Sequence, residues 1–277
     1  MPPETQTHLL DALRATLPAL PGFRSLSLFG SLAEGRADEY SDIDLMVTTD
    51  DLPEAKAHLL GLLEEVGPVE FCWAIDLRPD EWNPTIVFRD EGYHRKLDLG
   101  LADTSAQDRT IPAEQTVLLC DEPRTPPRSV RTSDAYVPEN GTVGHFLLDK
   151  SIGCLRYVKA RKRGQVMTCY RFAAAAVQWR LALLYARLTE KLDFRSKLST
   201  EQCVELDRLL PAAEGTAVIA DLDFSNLRAM DHVVRIAMEK MLDDGARLAA
   251  MVGESLPADV FGRISGFLAG ELPCPHG

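Results

Sequence analysis

Residues 28–47 read LFGSLAEGRADEYSDIDLMV, and theirs is the most informative pattern in the chain. Gly30 and Ser31 end an alternating run typical of a β-strand, and after ten further residues Asp42 and Asp44 lie on a second such run. Because successive strand side chains point to opposite faces, the two aspartates share one face, about 6.6–7 Å apart along the backbone. Carboxylates at this spacing can share hard divalent cations, so the stretch predicts a magnesium site.

The Gly-Ser pair predicts a contact with phosphate. Gly30 lets the backbone approach a phosphate closely, and Ser31 offers a hydroxyl and an amide to it. Arg36 follows in the loop between the two strands. Its side chain is equally suited to touching phosphate and to capping a turn, and the sequence leaves both roles open.

The pattern from residue 25 to about residue 101 alternates strand-like runs with one clear helix, which predicts an α/β first half. A further helix is predicted before it, over residues 7–17. The predicted strands cover residues 25–29, 41–47, 69–75, 85–88 and 96–101. Asp51 is placed to cap the helix that follows it, Gly67 and Pro68 are placed to end that helix, and residues 90–92 suit a hairpin turn.

The chain changes character after residue 120. Residues 121–141 contain four prolines among polar residues, too many for a regular element, and predict an extended linker over 121–140. The remainder is rich in Ala and Leu at helical spacing, with predicted helices around 148–155, over 170–191, after the capping-box pair Ser199 and Gln202, and over 225–252. We therefore predict an α+β protein with a first domain over 1–120, a linker over 121–140 and an all-helical domain over 141–277.

Composition restricts the function classes. The 277 residues are 45% hydrophobic and carry a formal net charge of −12, which argues against disorder and against general nucleic-acid binding. The N-terminus has no secretory signal pattern, and the longest apolar stretch, residues 172–184, is interrupted by Gln178 and Arg180, so we expect no membrane span. The six cysteines lack zinc-ligand spacing and suit reduced thiols, which favours a cytoplasmic enzyme.

The Gly-Ser pair, the spacer and the Asp-x-Asp pair resemble the signature of the nucleotidyltransferase superfamily that includes DNA polymerase beta. The resemblance covers roughly residues 25–101. It implies a nucleotidyltransferase fold in the first domain, with a mixed sheet flanked by helices, and an enzyme that uses ATP or another nucleoside triphosphate. Gly30 and Ser31 would hold its β- and γ-phosphates, and Asp42 and Asp44 would bind magnesium.

The resemblance also implies a third carboxylate on a later central strand. We choose Asp98, because it alternates with three leucines, as expected of a residue that faces the site from a buried sheet. Asp76 and Glu70 are the alternatives. Two magnesium ions are implied: the three aspartates would share the ion that activates the acceptor hydroxyl, and Asp42 and Asp44 would hold the triphosphate through the other, with pyrophosphate leaving.

The layout of one such core followed by a helical domain resembles the stand-alone antibiotic nucleotidyltransferases, which transfer AMP from ATP to a hydroxyl of an aminoglycoside or lincosamide. It implies a role in antibiotic resistance. In such enzymes the acceptor commonly lies between the two domains, sometimes completed by the second subunit of a homodimer. Basic residues of their helical domain reach the triphosphate, a role we assign to Arg156 and Lys159, which with Arg163 recur at helical spacing. A solvated helix face is the alternative.

An acidic protein suits a cationic small-molecule acceptor. Two other functions stay open. One is nucleotidyl transfer to tRNA or to a protein, as in toxin–antitoxin relatives, and the other is a catalytically silent nucleotide-binding module. The sequence identifies neither the acceptor nor the general base, for which Asp98, Glu70 and the pair Glu64 and Glu65 are all consistent.

Overall fold

The computed structural model of the 277-residue chain describes residues 4–89, 93, 96–105, 116–125, 131–192, 194, 197–210 and 222–272. The chain divides into two compact units, Met1–Val137 and Pro138–Gly277. The first unit holds a mixed sheet with helices and the second is helical, which confirms the predicted α+β class.

The elements of the first unit follow the predicted order. They are α1 (Glu4–Thr16), a short 3-10 helix (Leu17–Ala19), β1 (Phe23–Phe29), α2 (Gly30–Ala33), β2 (Ile43–Thr49), α3 (Leu52–Leu63), β3 (Val69–Arg78), β4 (Glu81–Phe88), β5 (Lys96–Asp103) and β6 (Val117–Cys120). The structure adds the short strand β6, which the sequence pattern did not predict. The hairpin turn predicted at residues 90–92 lies outside the described residues, and β4 and β5 on either side of it pair antiparallel.

The sheet has the strand order β3-β4-β5-β2-β1-β6. Its central pair, β2 and β5, is parallel, and the other neighbouring pairs are antiparallel. The parallel register sets Ile43 opposite Leu97 and Asp44 opposite Asp98. Because the side chains alternate along each strand, this register brings the polar face of β2 and the polar face of β5 together.

One face of the sheet is the hydrophobic core of the first unit. Alternate residues of β2 and β5, from Ile43 and Leu97 onward, are fully buried there together with the apolar stripes of α1 and α3. Helix α3 begins where the sequence predicted, because the Asp51 side chain accepts a hydrogen bond from the Glu54 amide. The opposite face carries the half-buried residues Asp42, Asp44 and Asp98.

The second unit consists of helices in its described part. They are α4 (Val143–Lys162), α5 (Val166–Thr189), α6 (Thr200–Leu209), α7 (Leu227–Val252) and α8 (Ala258–Glu271). The predicted capping box is present, with Ser199 and Gln202 each accepting from the other's backbone amide. Helix α8 was not predicted. Within the described ranges, no helix has the length and apolarity needed to cross a membrane.

Candidate active site

Three aspartates occupy neighbouring positions on the polar face of the sheet. Asp42 directly precedes β2, Asp44 is the second residue of β2, and Asp98 lies opposite Asp44 on β5. The side chains of Asp42 and Asp98 are 22% and 29% exposed, so both carboxylates are reachable from solvent but largely surrounded by protein. The spacing along one strand and the register between two strands thus bring together the three residues that the sequence singled out.

Gly30 lies directly against this cluster. Its backbone has φ +68°, a left-handed conformation that side chains disfavour, at the start of the short helix α2. A Cβ atom at this position would overlap the Asp44 carboxylate, with the carboxyl carbon only 2.9 Å away. The turn after β1 therefore needs glycine for two reasons, its backbone angle and its contact with Asp44. Ser31 follows, half-buried.

A buried lysine joins two of the aspartates. Lys96, the first residue of β5, is 1% exposed, and its Nζ lies 3.1 Å from Asp42 Oδ2 and contacts Asp98 Oδ2. Thr85 on β4 donates its hydroxyl to the other oxygen of Asp98, Oδ1, at 2.6 Å. Asp98 is thus held on both oxygens by side chains of the same sheet.

The loop that leads into Asp42 is held by a buried glutamine. Gln6 on α1 donates its side-chain amide to the carbonyl oxygens of Asp38, at 3.0 Å, and Ser41, at 2.7 Å. Within the loop, Asp38 Oδ1 accepts from the Tyr40 amide at 3.1 Å and from the Ser41 hydroxyl at 2.9 Å. These bonds fix the backbone immediately before Asp42, so the position of its carboxylate is set by α1 as well as by β2.

Comparison with known proteins identifies the family of this region. Residues 12–94 match the family model described as "Nucleotidyltransferase domain". The chain carries a nucleotidyltransferase domain. The match confirms the predicted family and the predicted enzyme class, and it includes Gly30, Ser31, Asp42 and Asp44 while ending just before Asp98.

Solved structures resemble this chain only distantly. An aminoglycoside 6-adenyltransferase from Bacillus subtilis is 13% identical, with 96% of each chain covered and a TM-score of 0.38. A STING-associated CdnE c-di-GMP synthase from Capnocytophaga granulosa is 16% identical, with 90% of this chain and 83% of that chain covered and a TM-score of 0.29. Similarity at this level carries no argument about substrate. No curated protein matches the sequence significantly.

The alternative carboxylates are in different surroundings. Glu70 lies on the edge strand β3, separated from β5 by β4. It is buried and accepts from Arg89 Nε at 2.9 Å and from the Tyr93 hydroxyl at 3.3 Å. The Glu70 carboxylate thus forms an ion pair with Arg89 and a hydrogen bond with Tyr93, on a strand that does not adjoin β5. The side chain of Asp76 lies outside the described residues.

The donor chemistry of the aspartate cluster fits a hard divalent cation. Asp42, Asp44 and Asp98 supply carboxylate oxygens, which magnesium prefers. Within the described ranges, no three or more His, Cys, Asp or Glu side chains already stand in an arrangement that could hold an ion. Instead the ammonium of Lys96 joins Asp42 and Asp98. The assignment of the three aspartates as metal ligands stays a prediction.

The basic residues assigned to phosphate differ in their exposure. Arg36 is exposed and forms an ion pair with Glu34. On α4, Arg156 is exposed whereas Lys159 is buried, with 4% of its surface accessible. The three residues at helical spacing therefore do not form a uniform solvated face, and contact of Arg156 and Lys159 with the triphosphate stays a prediction.

Arg161, which lies between Lys159 and Arg163 on α4, forms an ion pair with the buried Asp231. Its Nε lies 3.0 Å and 3.1 Å from the two oxygens of Asp231 on α7. Tyr157 also donates to Asp231, at 2.6 Å, and burial together with this hydrogen bond raises the pKa of the Tyr157 hydroxyl. The network links α4 to α7 inside the helical unit.

Sequence reasoning missed two neighbours of the aspartate cluster, Lys96 and Thr85. Lys96 precedes Asp98 by two residues on the same strand, so the alternation that selected Asp98 also places Lys96 on its face. That signal was present in the sequence. Thr85 could not be found in the same way, because its contact depends on the register between β4 and β5.

Proposed function

We propose that the protein is a magnesium-dependent adenylyltransferase that moves AMP from ATP to a hydroxyl of a small antibiotic-like molecule and releases pyrophosphate. The observation that carries the proposal is the contact of Gly30 with Asp44 on the sheet face that Asp42 and Asp98 share. A phosphate-binding turn packed against paired carboxylates is what nucleotidyl transfer requires: a place for the triphosphate beside a place for cations.

Different residues of the chain would bind the phosphates and the cations. The turn at Gly30 and Ser31 would hold the β- and γ-phosphates through its backbone amides and the serine hydroxyl. Asp42 and Asp44, joined by Asp98, would hold two magnesium ions. When bound, magnesium supplies positive charge that offsets the negative charge on the phosphate and attacking oxygens. The hydrogen bond from Thr85 and the loop held by Gln6 would keep Asp98 and Asp42 in fixed positions.

Basic side chains would complete the phosphate site. We assign this contact to Arg36, Arg156 and Lys159. Guanidinium and ammonium groups form charge-assisted hydrogen bonds with phosphate oxygens that strengthen as charge develops on the leaving pyrophosphate. Replacing one of them would then lower kcat as well as kcat/KM for the nucleotide, because part of the contact is made only in the transition state.

The acceptor that we favour is a cationic aminoglycoside or a lincosamide. Its support is the net charge of −12, since acidic surroundings attract ammonium groups and oppose polyanions. We assign nucleotide chemistry to residues 1–120, the connection to 121–140 and acceptor selection to 141–277. In this proposal the protein acts in the cytoplasm and confers antibiotic resistance, and the second subunit of a homodimer could complete the acceptor site.

The substrate class is tested by pyrophosphate release with magnesium and each nucleoside triphosphate in turn, against aminoglycosides, lincosamides, tRNA and protein. The proposal predicts release that needs magnesium, prefers ATP and depends on a drug. Release only with tRNA or protein would show that the acceptor is a macromolecule, and nucleotidyl transfer would still be the reaction. If nucleotide binds but no acceptor yields pyrophosphate, the remaining functions are transfer to an acceptor outside this panel and a silent nucleotide-binding module.

A further inference from the structure

The polar face of the sheet contains a buried cation in addition to its carboxylates. Lys96 is 1% exposed, and its ammonium is in contact with Oδ2 of both Asp42 and Asp98. Oδ1 of Asp98 is taken by the Thr85 hydroxyl at 2.6 Å. The ammonium therefore occupies the space between the two carboxylate oxygens where an ion shared by Asp42 and Asp98 would bind.

Charge explains why a lysine is tolerated there. Three ionised aspartates on adjacent strands repel one another, and partial burial strengthens that repulsion by lowering the local dielectric constant. An ammonium within hydrogen-bond distance of two of them compensates part of the negative charge. Burying a lysine is costly unless it is paired, so the two carboxylates and Lys96 stabilise each other in the metal-free protein.

We propose that Lys96 is a built-in countercation of the metal site: its ammonium bridges Asp42 and Asp98 when no ion is bound, and divalent cations bind in competition with that bridge. The inference rests on the proposed function, because it takes both aspartates as ligands. Lys96 is a positioning residue, since it acts on the carboxylates that would bind the ion. Its presence would lower the affinity of the site for divalent cations, and it would keep Asp42 and Asp98 ordered when no ion is bound.

The test is Mn²⁺ binding to the nucleotide-free full-length protein near neutral pH, by calorimetry and by electron paramagnetic resonance. Lys96→Met removes the charge and keeps most of the side-chain volume, and Lys96→Gln removes the charge but keeps a hydrogen-bond donor. Both are expected to bind Mn²⁺ about tenfold more tightly than the wild type, since a nearby positive charge no longer opposes the ion. Lys96→Arg keeps the charge, so its Mn²⁺ affinity should stay closer to that of the wild type than the affinity of either neutral variant.

Thermal unfolding supplies a second readout. Without ions, Lys96→Met should melt below the wild type, because the carboxylates lose their compensating charge. The rise in melting temperature on adding Mn²⁺ should be larger in Lys96→Met than in the wild type, as tighter binding to the folded state stabilises it more. If Lys96→Met does not fold without ions, the Mn²⁺ affinity of Lys96→Gln decides.

Failure of this inference can be told apart from failure of the proposed function. Equal or weaker Mn²⁺ binding in Lys96→Met and Lys96→Gln, with binding in the wild type abolished by Asp42→Asn, would overturn the countercation and leave the metal site standing. Absence of Mn²⁺ binding from the wild type and from both neutral variants would overturn the metal site and the countercation together.

Discussion

At the scale of single residues, Gly30 connects backbone conformation to the proposed chemistry. It has φ +68°, and a methyl group in place of its hydrogen would overlap the Asp44 carboxylate. Gly35, five residues later, has the same φ of +68° but no atom within 4 Å of the position a Cβ would take. Comparing substitutions at these two positions therefore distinguishes the effect of backbone strain from the effect of contact with Asp44.

We predict that Gly35→Ala loses about 1–2 kcal/mol of stability, the cost of a left-handed L-residue, and that Gly30→Ala loses more, because its methyl group must also displace Asp44. Only Gly30→Ala should also lose turnover, by about a hundredfold, because Asp44 must move. Urea unfolding measures the first effect, and pyrophosphate release per folded molecule measures the second. Equal turnover in the two variants would show that the contact between Gly30 and Asp44 is unimportant.

At this scale the sequence predicted the aspartates better than their partners. Asp42, Asp44 and Asp98 were recognisable because a two-residue period and one short motif pick them out. Their contacts with Lys96 and Thr85 depend on which residues of β2, β4 and β5 lie opposite each other, and the pairing register is a tertiary property.

At the scale of elements, periodicity predicted strands and helices that bury one face. It missed β6, whose residues Val117 and Leu118 are 45% and 58% exposed and show no alternation. It also missed α8, which contains three glycines, at 262, 266 and 270, that lower helix propensity. Burial of Phe261, Ile264 and Leu268 stabilises α8 in spite of those glycines.

The cap of α3 gives a prediction at the same scale. The Asp51 carboxylate accepts from the Glu54 amide at 3.2 Å, and α3 packs Leu59 and Leu62 into the core. Asp51→Ala should therefore lower the free energy of unfolding by about 1 kcal/mol, and Asp51→Asn, which keeps an acceptor oxygen, by a few tenths at most. Denaturant unfolding followed by circular dichroism compares them. An equal loss in both variants would mean that the charge, and not the cap, stabilises α3.

At the scale of the whole molecule, the two compact units each contain a buried thiol. Burial raises the pKa of Cys72, in the first unit, and of Cys154, in the second, from 9.0 to about 12. Cys203 on α6 is exposed. The thiolate is the reactive form of cysteine. At neutral pH, Cys72 and Cys154 should therefore carry roughly a thousandfold less thiolate than a thiol with the ordinary pKa, and burial also keeps reagents away from them.

Alkylation with iodoacetamide, followed by peptide mass spectrometry, should therefore label Cys203 in the native protein. Cys72 and Cys154 should react at least about a hundredfold more slowly, and raising the pH by one unit should leave both in the neutral form. In urea, each should become reactive when its own unit unfolds. Native labelling of Cys72 at the rate of Cys203 would contradict the packing of the first unit.

Pyrophosphate release by single aspartate variants tests directly whether Asp42, Asp44 and Asp98 are required for nucleotidyl transfer. Asp42→Asn, Asp44→Asn and Asp98→Asn are each expected to lose turnover by about a thousandfold or more, because each removes a carboxylate that would bind magnesium. Asp103→Asn, at the other end of β5 from Asp98, is the matched control and should keep wild-type turnover. If Asp42→Asn is folded and its pyrophosphate release is unchanged and still dependent on magnesium, Asp42 is not a ligand of the magnesium that the reaction needs.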